Sequence, residues 1–460
     1  MFIGRNTERK ALEDIFATDG SNLVILYGRT GIGKTALIAE FLKEKTAYYY
    51  LLRESSFREQ MLCMSEELES AYPGKPLKAI DELDYAEILG NVVRRNETPG
   101  GKQLIVLDEF HLGMREGALA DAIYHILANR EHFGNVMFLL CSSSVNWVEN
   151  EMVQELGMTA KFITNFMKLK ELSFMEIGNW FPRMSIEDCI AINAVIGGVP
   201  KYLKLWDERK TVAYNIKQLF LLENAPLYAE AEAVLKLELR ELAAYNAILA
   251  AMAAGKNKLN DIYERTAFSR AKISVYIKNL IKLDIVEKVF SADTDSNENV
   301  KKGLYRIKDN FLSFWYRFVF PNESMIAIGQ GEWVYDERIK NDFFAYQRES
   351  FSQLCLEYLK LMARHKRLRN DYDSWGSWHG KTGKLDVIAA DAENRILVAY
   401  CDWNDKRITV QEMDLINGLC VQAKVKPAEI YVFSRLGISA EAKHDYMKQP
   451  LFRVVELKDL

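Results

Sequence analysis

The sequence predicts an α/β chain that opens on a parallel sheet, and three apolar runs carry that expectation. Residues 23–27, 104–107 and 135–141 are short and almost wholly apolar, as strands buried on both faces of a sheet are. The first leads into a glycine-rich turn and a helically spaced apolar stretch, the second ends in Asp108 and Glu109, and the third ends in serines. In an open sheet of this kind ligands occupy the crevice at the carboxyl ends of the strands. The polar residues closing these runs are therefore the expected site.

The glycine-rich turn is the most informative segment. Gly28-Arg29-Thr30-Gly31-Ile32-Gly33-Lys34-Thr35 fits G-x-x-x-x-G-K-[ST] in full, with a strand before it and a helix beginning at Ala36 after it. Glycines let successive backbone N–H groups turn inward onto phosphate oxygens, and the helix N-terminus adds its positive dipole end. Lys34 would reach the β- and γ-phosphates and Thr35 would give its hydroxyl oxygen to Mg²⁺. The expected ligands are ATP or ADP with Mg²⁺, contacted by Gly28, Arg29, Thr30, Gly31, Ile32, Gly33, Lys34, Thr35 and Ala36.

Asp108, closing the second run, is placed to share the Mg²⁺ shell with Thr35. Glu109 follows directly and is placed to polarise a water for attack on the γ-phosphate, the general-base role. Lys34, Asp108 and Glu109 are thus the expected catalytic residues. Ser142 or Ser143 would sense the γ-phosphate through a hydrogen bond, or would cap the strand-to-helix turn.

Length and composition bound the rest. The chain has 460 residues, enough for about two to four domains. A net charge of −4 and an apolar content of 49% exclude a protein coated in positive charge but leave room for a local basic face. The six cysteines, Cys63, Cys141, Cys189, Cys355, Cys401 and Cys420, show no CxxC spacing, so free thiols in a reducing compartment are expected. The opening residues carry no apolar signal core, and no stretch reaches the roughly 18 apolar residues of a membrane helix. A soluble, cytoplasmic chain without membrane contact is expected, and no repeats or low-complexity tracts are present.

Several segments together resemble the archaeal-type ATPases of the STAND class. "FIGRNTERKALEDIF" resembles that family's F-x-G-R-x-x-E opening, "LDEFH" its Walker B box, and "LLCSSS" its apolar strand closing in Gly-Ser-Ser. "LKELSF" resembles the approach to its helical lid, "IGGVPKYL" its Gly-Gly-x-Pro-x-Tyr-Leu signature, and "YRIKDNFLSFWYRFVFP" its winged-helix exit. The resemblance covers almost the whole chain. It implies that Pro200 lies near the adenine, positioned by the turn at Gly197 and Gly198. One departure stands out: the arginine that the family often places ahead of "LKPLSF" is missing, and Lys161 and Lys168 are the cations there. Either hydrolysis is slow or another cation substitutes, with Arg5 and Arg29 as candidates.

The middle of the chain reads as three helices and two strands, a winged helix-turn-helix pattern. Residues 243–254 form the first helix, closed at Gly255; residues 259–266 form the second; Ser269 caps a third ending near Asp284. Strands "IVEKVF" and "GLYRI" follow, with a polar loop between them. On the third helix Arg270, Lys278 and Lys282 share one side, with Lys272 nearby, and would meet DNA phosphates. Asp293, Asp295 and Glu298 in the loop would repel them, and the alternative is an internal packing arm.

From about Tyr346 the pattern changes to helix, β-hairpin, helix and two strands. "KLDVIAAD" and "YVFSR" resemble the restriction-endonuclease-like domain that closes some members of the family. Active members carry Asp on the first hairpin strand and Glu-x-Lys on the second, to hold a metal and steady the developing charge. Asp386 occupies the first position, but the second reads Tyr400-Cys401-Asp402-Trp403. Ser352 stands where the family often has glutamate, with Glu349 near. A nuclease fold without nuclease chemistry is expected, with Asp386 an exposed strand-end acid. "WGSWHGKTGK", residues 375–384, would stack on bases or form a partly buried loop.

The expected fold is thus α/β: a P-loop NTPase parallel sheet with a helical lid, then a winged helix-turn-helix domain and an α/β restriction-endonuclease-like domain. The expected boundaries are 1–172 for the ATPase core, 173–235 for the lid, 236–320 for the winged helix, 321–345 for a linker and 346–460 for the last domain. The expected function is a slow STAND-type ATPase switch with a protein partner at its C-terminal domain and a nucleotide-dependent oligomer as a further outcome. The alternatives are a DNA-processing ATPase or nuclease, which Tyr400 and Asp402 disfavour, and a DNA-binding regulator acting through the winged helix.

Overall fold

In the computed structural model the described residues are 2–74, 77–95, 101–116, 118–289, 303–380 and 382–460. Two compact units divide the chain: Met1–Leu172 with Val199–Lys201, and Ser173–Gly198 with Tyr202–Leu460.

The first unit is built on β1 (Asn22–Tyr27), β2 (Ala47–Leu51), β3 (Gln103–Asp108), β4 (Val136–Ser142) and β5 (Ile163–Lys168), all parallel in the order β2-β3-β4-β1-β5. Helices α1 (Asn6–Ala17), α2 (Lys34–Phe41), α3 (Phe57–Ala71), α4 (Tyr85–Arg95) and α5 (Ala118–Ala128) accompany it. β3 and β4 are buried at every position, the reason their sequences are unbroken apolar runs. β2 and β5 lie at the sheet edges and mix buried with open positions, and their sequences, AYYYL and ITNFMK, hold no such run. In β2 the side chains alternate: Tyr48 and Tyr50 are buried in the core, and Tyr49 takes the opposite face, half-buried.

The register sets the site. Tyr27 pairs with Ser142 on one side and Lys168 on the other, and the Gly28 N–H continues onto the Ser142 carbonyl at 3.3 Å. Leu51 pairs with Asp108. The segment leaving β1 therefore emerges beside the ends of β4 and β5, and β2 brings its own end to Asp108.

The second unit contains three helices, Leu242–Ala253, Leu259–Thr266 and Arg270–Lys282, followed by the antiparallel pair β6 (Val286–Val289) and β7 (Leu304–Ile307). The Ser269 side chain accepts from the Lys272 N–H at 3.2 Å, closing the N-terminus of the third helix. That helix buries Ile273, Ile277 and Leu280 and leaves Arg270, Lys272, Lys278 and Lys282 exposed. The acids Asp293, Asp295 and Glu298 lie outside the described residues.

A second sheet completes this unit, with β8 (Ser374–His379), β9 (Lys384–Ala390), β10 (Ile396–Asp402), β11 (Pro427–Ser434) and β12 (Phe452–Glu456) in the order β12-β11-β10-β9-β8. β9 is antiparallel to its two neighbours β8 and β10, while β10, β11 and β12 are parallel. One face, with Val387, Ala389 and Leu397, packs on Phe351, Leu354 and Cys355 of helix Lys340–Arg364 and on Cys189 and Ile190. The other, with Leu385, Ile388 and Val398, packs on Met413, Ile416 and Leu419 of helix Val410–Gln422. The segment expected to be a loop or a stacking surface, 375–384, instead supplies most of β8, because Trp378 is drawn into that second core. The six cysteines are free thiols, five of them buried. No helix among the described residues is long and apolar enough to cross a membrane.

Candidate functional site

The loop after β1 carries Gly28, Arg29, Thr30, Gly31, Ile32 and Gly33 and delivers Lys34, Thr35 and Ala36 as the first turn of α2. Gly31 and Gly33 adopt φ values of 82° and 96°, open to glycine at little cost and strained for other residues. At Gly31 an added Cβ would also lie 2.9 Å from the Cβ of Lys201. The Lys201 N–H donates to the Gly31 carbonyl at 3.2 Å, and the Pro200 Cγ lies 3.5 Å from where a Cβ on Gly33 would stand. The tripeptide Val199–Lys201 thus forms one wall of the loop. Pro200 opens the short helix Pro200–Leu203, a position where its missing N–H costs nothing. Gly197, with φ at 62°, ends the helix Ile186–Ile196.

The buried Lys34 ammonium donates to the carbonyls of Gly28 at 2.8 Å and Arg29 at 3.3 Å. Carbonyls offer it dipoles rather than countercharge, so a phosphate oxygen is the stronger acceptor. Asp108 ends β3 with only 2% of its surface exposed. Its Oδ2 accepts from the Thr35 hydroxyl and the Tyr49 hydroxyl, both at 3.0 Å, and its Oδ1 accepts from the Glu109 N–H at 3.0 Å. Thr35 and Asp108 supply the hard oxygen donors that Mg²⁺ takes, so the residues present fit the ion. Burial, and then the Asp108 carboxylate, push the Tyr49 hydroxyl well above its usual range, so it serves as a neutral donor. The same two causes, in the same order, keep the Cys141 thiol neutral.

Glu109 turns back towards β4 through a φ of 54°, a left-handed conformation that costs a non-glycine residue about 1–3 kcal/mol. Its Oε2 accepts from both the N–H and the hydroxyl of Ser143, at 2.9 and 2.7 Å. The His111 Nδ1 stands 3.4 Å from the same oxygen and 3.1 Å from the Ser142 hydroxyl. Ser142 is fully buried, and its hydroxyl accepts from the Ser144 N–H at 3.2 Å. Of the two serines considered as sensors, Ser143 stands beside Glu109 and Ser142 caps the strand end from within.

The cations weighed as substitutes for the family arginine all have partners. Arg5 is buried, itself at φ 59°, and donates to the Ile32 carbonyl at 3.1 Å and to the Lys170 carbonyl, bracing the loop from behind. Arg29 pairs with Glu171 at 2.6 Å, Lys168 with Glu149 at 2.8 Å, and Lys161 lies over the Tyr124 and Phe162 rings.

In the second sheet the expectation for Asp386 is overturned. Its side chain is fully buried rather than an exposed strand-end acid. Lys384, two residues earlier on the same face of β9, pairs with its Oδ1 at 2.9 Å, and Arg348 pairs with its Oδ2 at 3.3 Å. The Ser352 hydroxyl and the Cys401 N–H also donate to it, each at 2.9 Å. The carboxylate that a metal would neutralise is neutralised by two side-chain cations. Glu349 is likewise engaged, with Lys384 and Arg306. Asp402 is buried, and its carboxyl is pushed up to about 6, first by burial and then by the Glu412 carboxylate. Burial also raises the Tyr400 hydroxyl.

A parallel sheet with a glycine loop opening a helix after one strand and an Asp-Glu pair closing another defines a P-loop ATPase domain. The comparisons agree at that level: residues 2–205 match the family described as an ATPase domain predominantly from Archaea. Residues 315–414 match a family described as archaeal and bacterial proteins of unknown function. An uncharacterized protein of Methanocaldococcus jannaschii is 26% identical over 420 residues, 88% of each chain. An uncharacterized ATP-binding protein of the same organism is 47% identical over 45 residues, 10% of this chain and 76% of that one. Among solved structures, the Walker-type ATPase of Pyrococcus abyssi is similar at a TM-score of 0.48 and 16% identity, over 69% of this chain and 96% of that one.

Two outcomes are expected. Lys34→Ala removes charge-assisted contacts worth about 1.5–3 kcal/mol each, so affinity for a fluorescent ADP falls about 100-fold or more in a direct titration. Asp402→Asn acts through pH. The folded carboxyl, at about 6, holds its proton more tightly than the unfolded one at about 3.9. Wild-type stability therefore falls as pH rises from about 4 to 6, by up to about 3 kcal/mol. Thermal melts should show the variant more stable than wild type at pH 7.5, with the advantage gone at pH 4.

Proposed function

We propose that this chain is a STAND-type switch whose bound nucleotide sets the arrangement of a lid (173–235), a winged helix (236–320) and a C-terminal domain (346–460) joined by the linker 321–345. The observation that carries the reading is the wall tripeptide. Val199–Lys201 lies against Gly31 and Gly33, while the residues on both sides of it, Gly198 and Tyr202, belong to the second unit. A phosphate that reshapes the loop moves that tripeptide and pulls on the chain at both of its ends. Only a difference in affinity for ATP and ADP can drive such a shift.

The residues divide the chemistry as follows. Loop amides and Lys34 hold the β- and γ-phosphates, Lys34 exchanging its carbonyl partners for phosphate oxygens. Thr35 and Asp108 hold Mg²⁺, which supplies charge neutralisation at the phosphates. Glu109 takes the proton of a water as its oxygen bonds to the γ-phosphorus and the bond to the β-γ bridging oxygen breaks, leaving ADP and phosphate. With Oε2 held by Ser143 and Arg5 and Arg29 engaged elsewhere, slow turnover follows. The C-terminal domain serves as a contact for a protein partner, and nucleotide-dependent self-association is a second expression of the same switch.

The test is the nucleotide that copurifies, followed by phosphate release with added ATP. Retained ADP and slow release, lowered about 100-fold or more by Glu109→Gln, support the switch. Fast continuous turnover overturns it in favour of a motor.

One observation favours a second reading, DNA contact by the helix Arg270–Lys282: its basic side is exposed, with Lys278 and Lys282 open to solvent. Duplex DNA should then bind with a salt dependence that weakens by about one charge for each lysine removed. A gel-shift series comparing wild type with Lys278→Glu/Lys282→Glu measures it, and no binding at low salt in either nucleotide state removes this reading.

A further inference from the structure

We propose that Tyr49 is a positioning residue for the metal-binding carboxylate of the nucleotide site, an inference that rests on the ATPase reading above. The Tyr49 hydroxyl donates to Asp108 Oδ2 at 3.0 Å, the same oxygen that accepts from Thr35 at 3.0 Å. Asp108 Oδ1 is fixed from another direction of sequence by the Glu109 N–H. The carboxylate is therefore held at both oxygens, and of the two hydroxyls that meet Oδ2 the one not in the phosphate loop's helix comes from β2, more than fifty residues before Asp108 in the chain.

Strand alternation singles Tyr49 out among three consecutive tyrosines. Tyr48 and Tyr50 face the core, and the Tyr50 hydroxyl meets Gln60 at 3.2 Å instead. The backbone fixes the approach: Leu51 pairs with Asp108 in the sheet, and the Leu52 N–H donates to the Asp108 carbonyl at 2.9 Å. A partner that orients a ligating carboxylate commonly affects metal affinity by 10- to 100-fold without touching the metal. Without Tyr49, Oδ2 loses one of its two hydroxyl donors, the other being Thr35, whose own oxygen is needed by the metal, and the carboxylate is freer to swing.

The experiment measures fluorescent-ADP affinity for the full chain in EDTA and across a Mg²⁺ series, for wild type, Tyr49→Phe and Tyr50→Phe. The proposal expects the Mg²⁺ concentration for half-maximal effect to rise about tenfold in Tyr49→Phe, with affinity in EDTA unchanged. Tyr50→Phe should behave as wild type and controls for loss of a buried hydroxyl on the same strand. An unchanged Mg²⁺ midpoint in Tyr49→Phe overturns the proposal and leaves the ATPase reading standing. A parallel loss of affinity with and without Mg²⁺ also overturns it, because it marks a role in folding alone. A wild-type chain that binds no nucleotide overturns the ATPase reading and this inference with it.

Discussion

An ionised carboxylate withdrawn from water has to be answered by donors or by a cation, and this chain answers that demand in two ways. Asp108 is met by two hydroxyls and one amide, neutral partners that orient it without cancelling its charge. It remains an attractive place for a divalent ion. Asp386 is met by a lysine, an arginine, a serine and an amide. Its charge is spent inside the protein. The two sheets look alike in having a buried acid near a strand end, yet the partners chosen for that acid separate a site prepared for a ligand from one closed to it.

The same constraint explains the neighbours. Tyr400 and Asp402 stand on β10, the strand that pairs with the one carrying Asp386. Burial first, and then the Glu412 carboxylate, make a negative charge at Asp402 costly, and its carboxyl shifts towards the protonated form. The cations that answer Asp386 come from Lys384 on β9 and Arg348 on the long helix, so its charge is balanced within the protein.

Much of the first unit was legible in the sequence because its signals are local. The glycine loop, the strand before it and the helix after it lie within twenty residues, and Asp108 follows an unbroken apolar run. β2 and β5 were not legible, since edge strands are half-buried and carry mixed residues. Nor were the pairings: Tyr49 with Asp108, Ser143 (itself expected at the site) with Glu109, and Val199–Lys201 with the loop arise from sheet register and tertiary packing, which residue spacing does not encode. The resemblance to a family drew attention to Pro200, and the geometry places that proline against Gly33. Arg5 illustrates the opposite case. Its position in a recognisable segment suggested phosphate contact, but its side chain braces the loop through carbonyls. The edge strand β8 escaped for a further reason. A run rich in Trp, Gly and Lys reads as a binding loop until one sees that Trp378 fills a core.

The wall tripeptide also bears on heredity. The first unit is not contiguous in the chain: it runs to Leu172, leaves, and returns for three residues. A gene fragment cut at the apparent end of the sheet would encode a phosphate loop lacking the backbone that leans on Gly31. Whatever recombines this ATPase domain with other partners must carry the stretch through Lys201 as one inherited piece, and the helix Ile186–Ile196 travels with it. Shuffling of such chains is therefore constrained by three residues rather than by a domain edge.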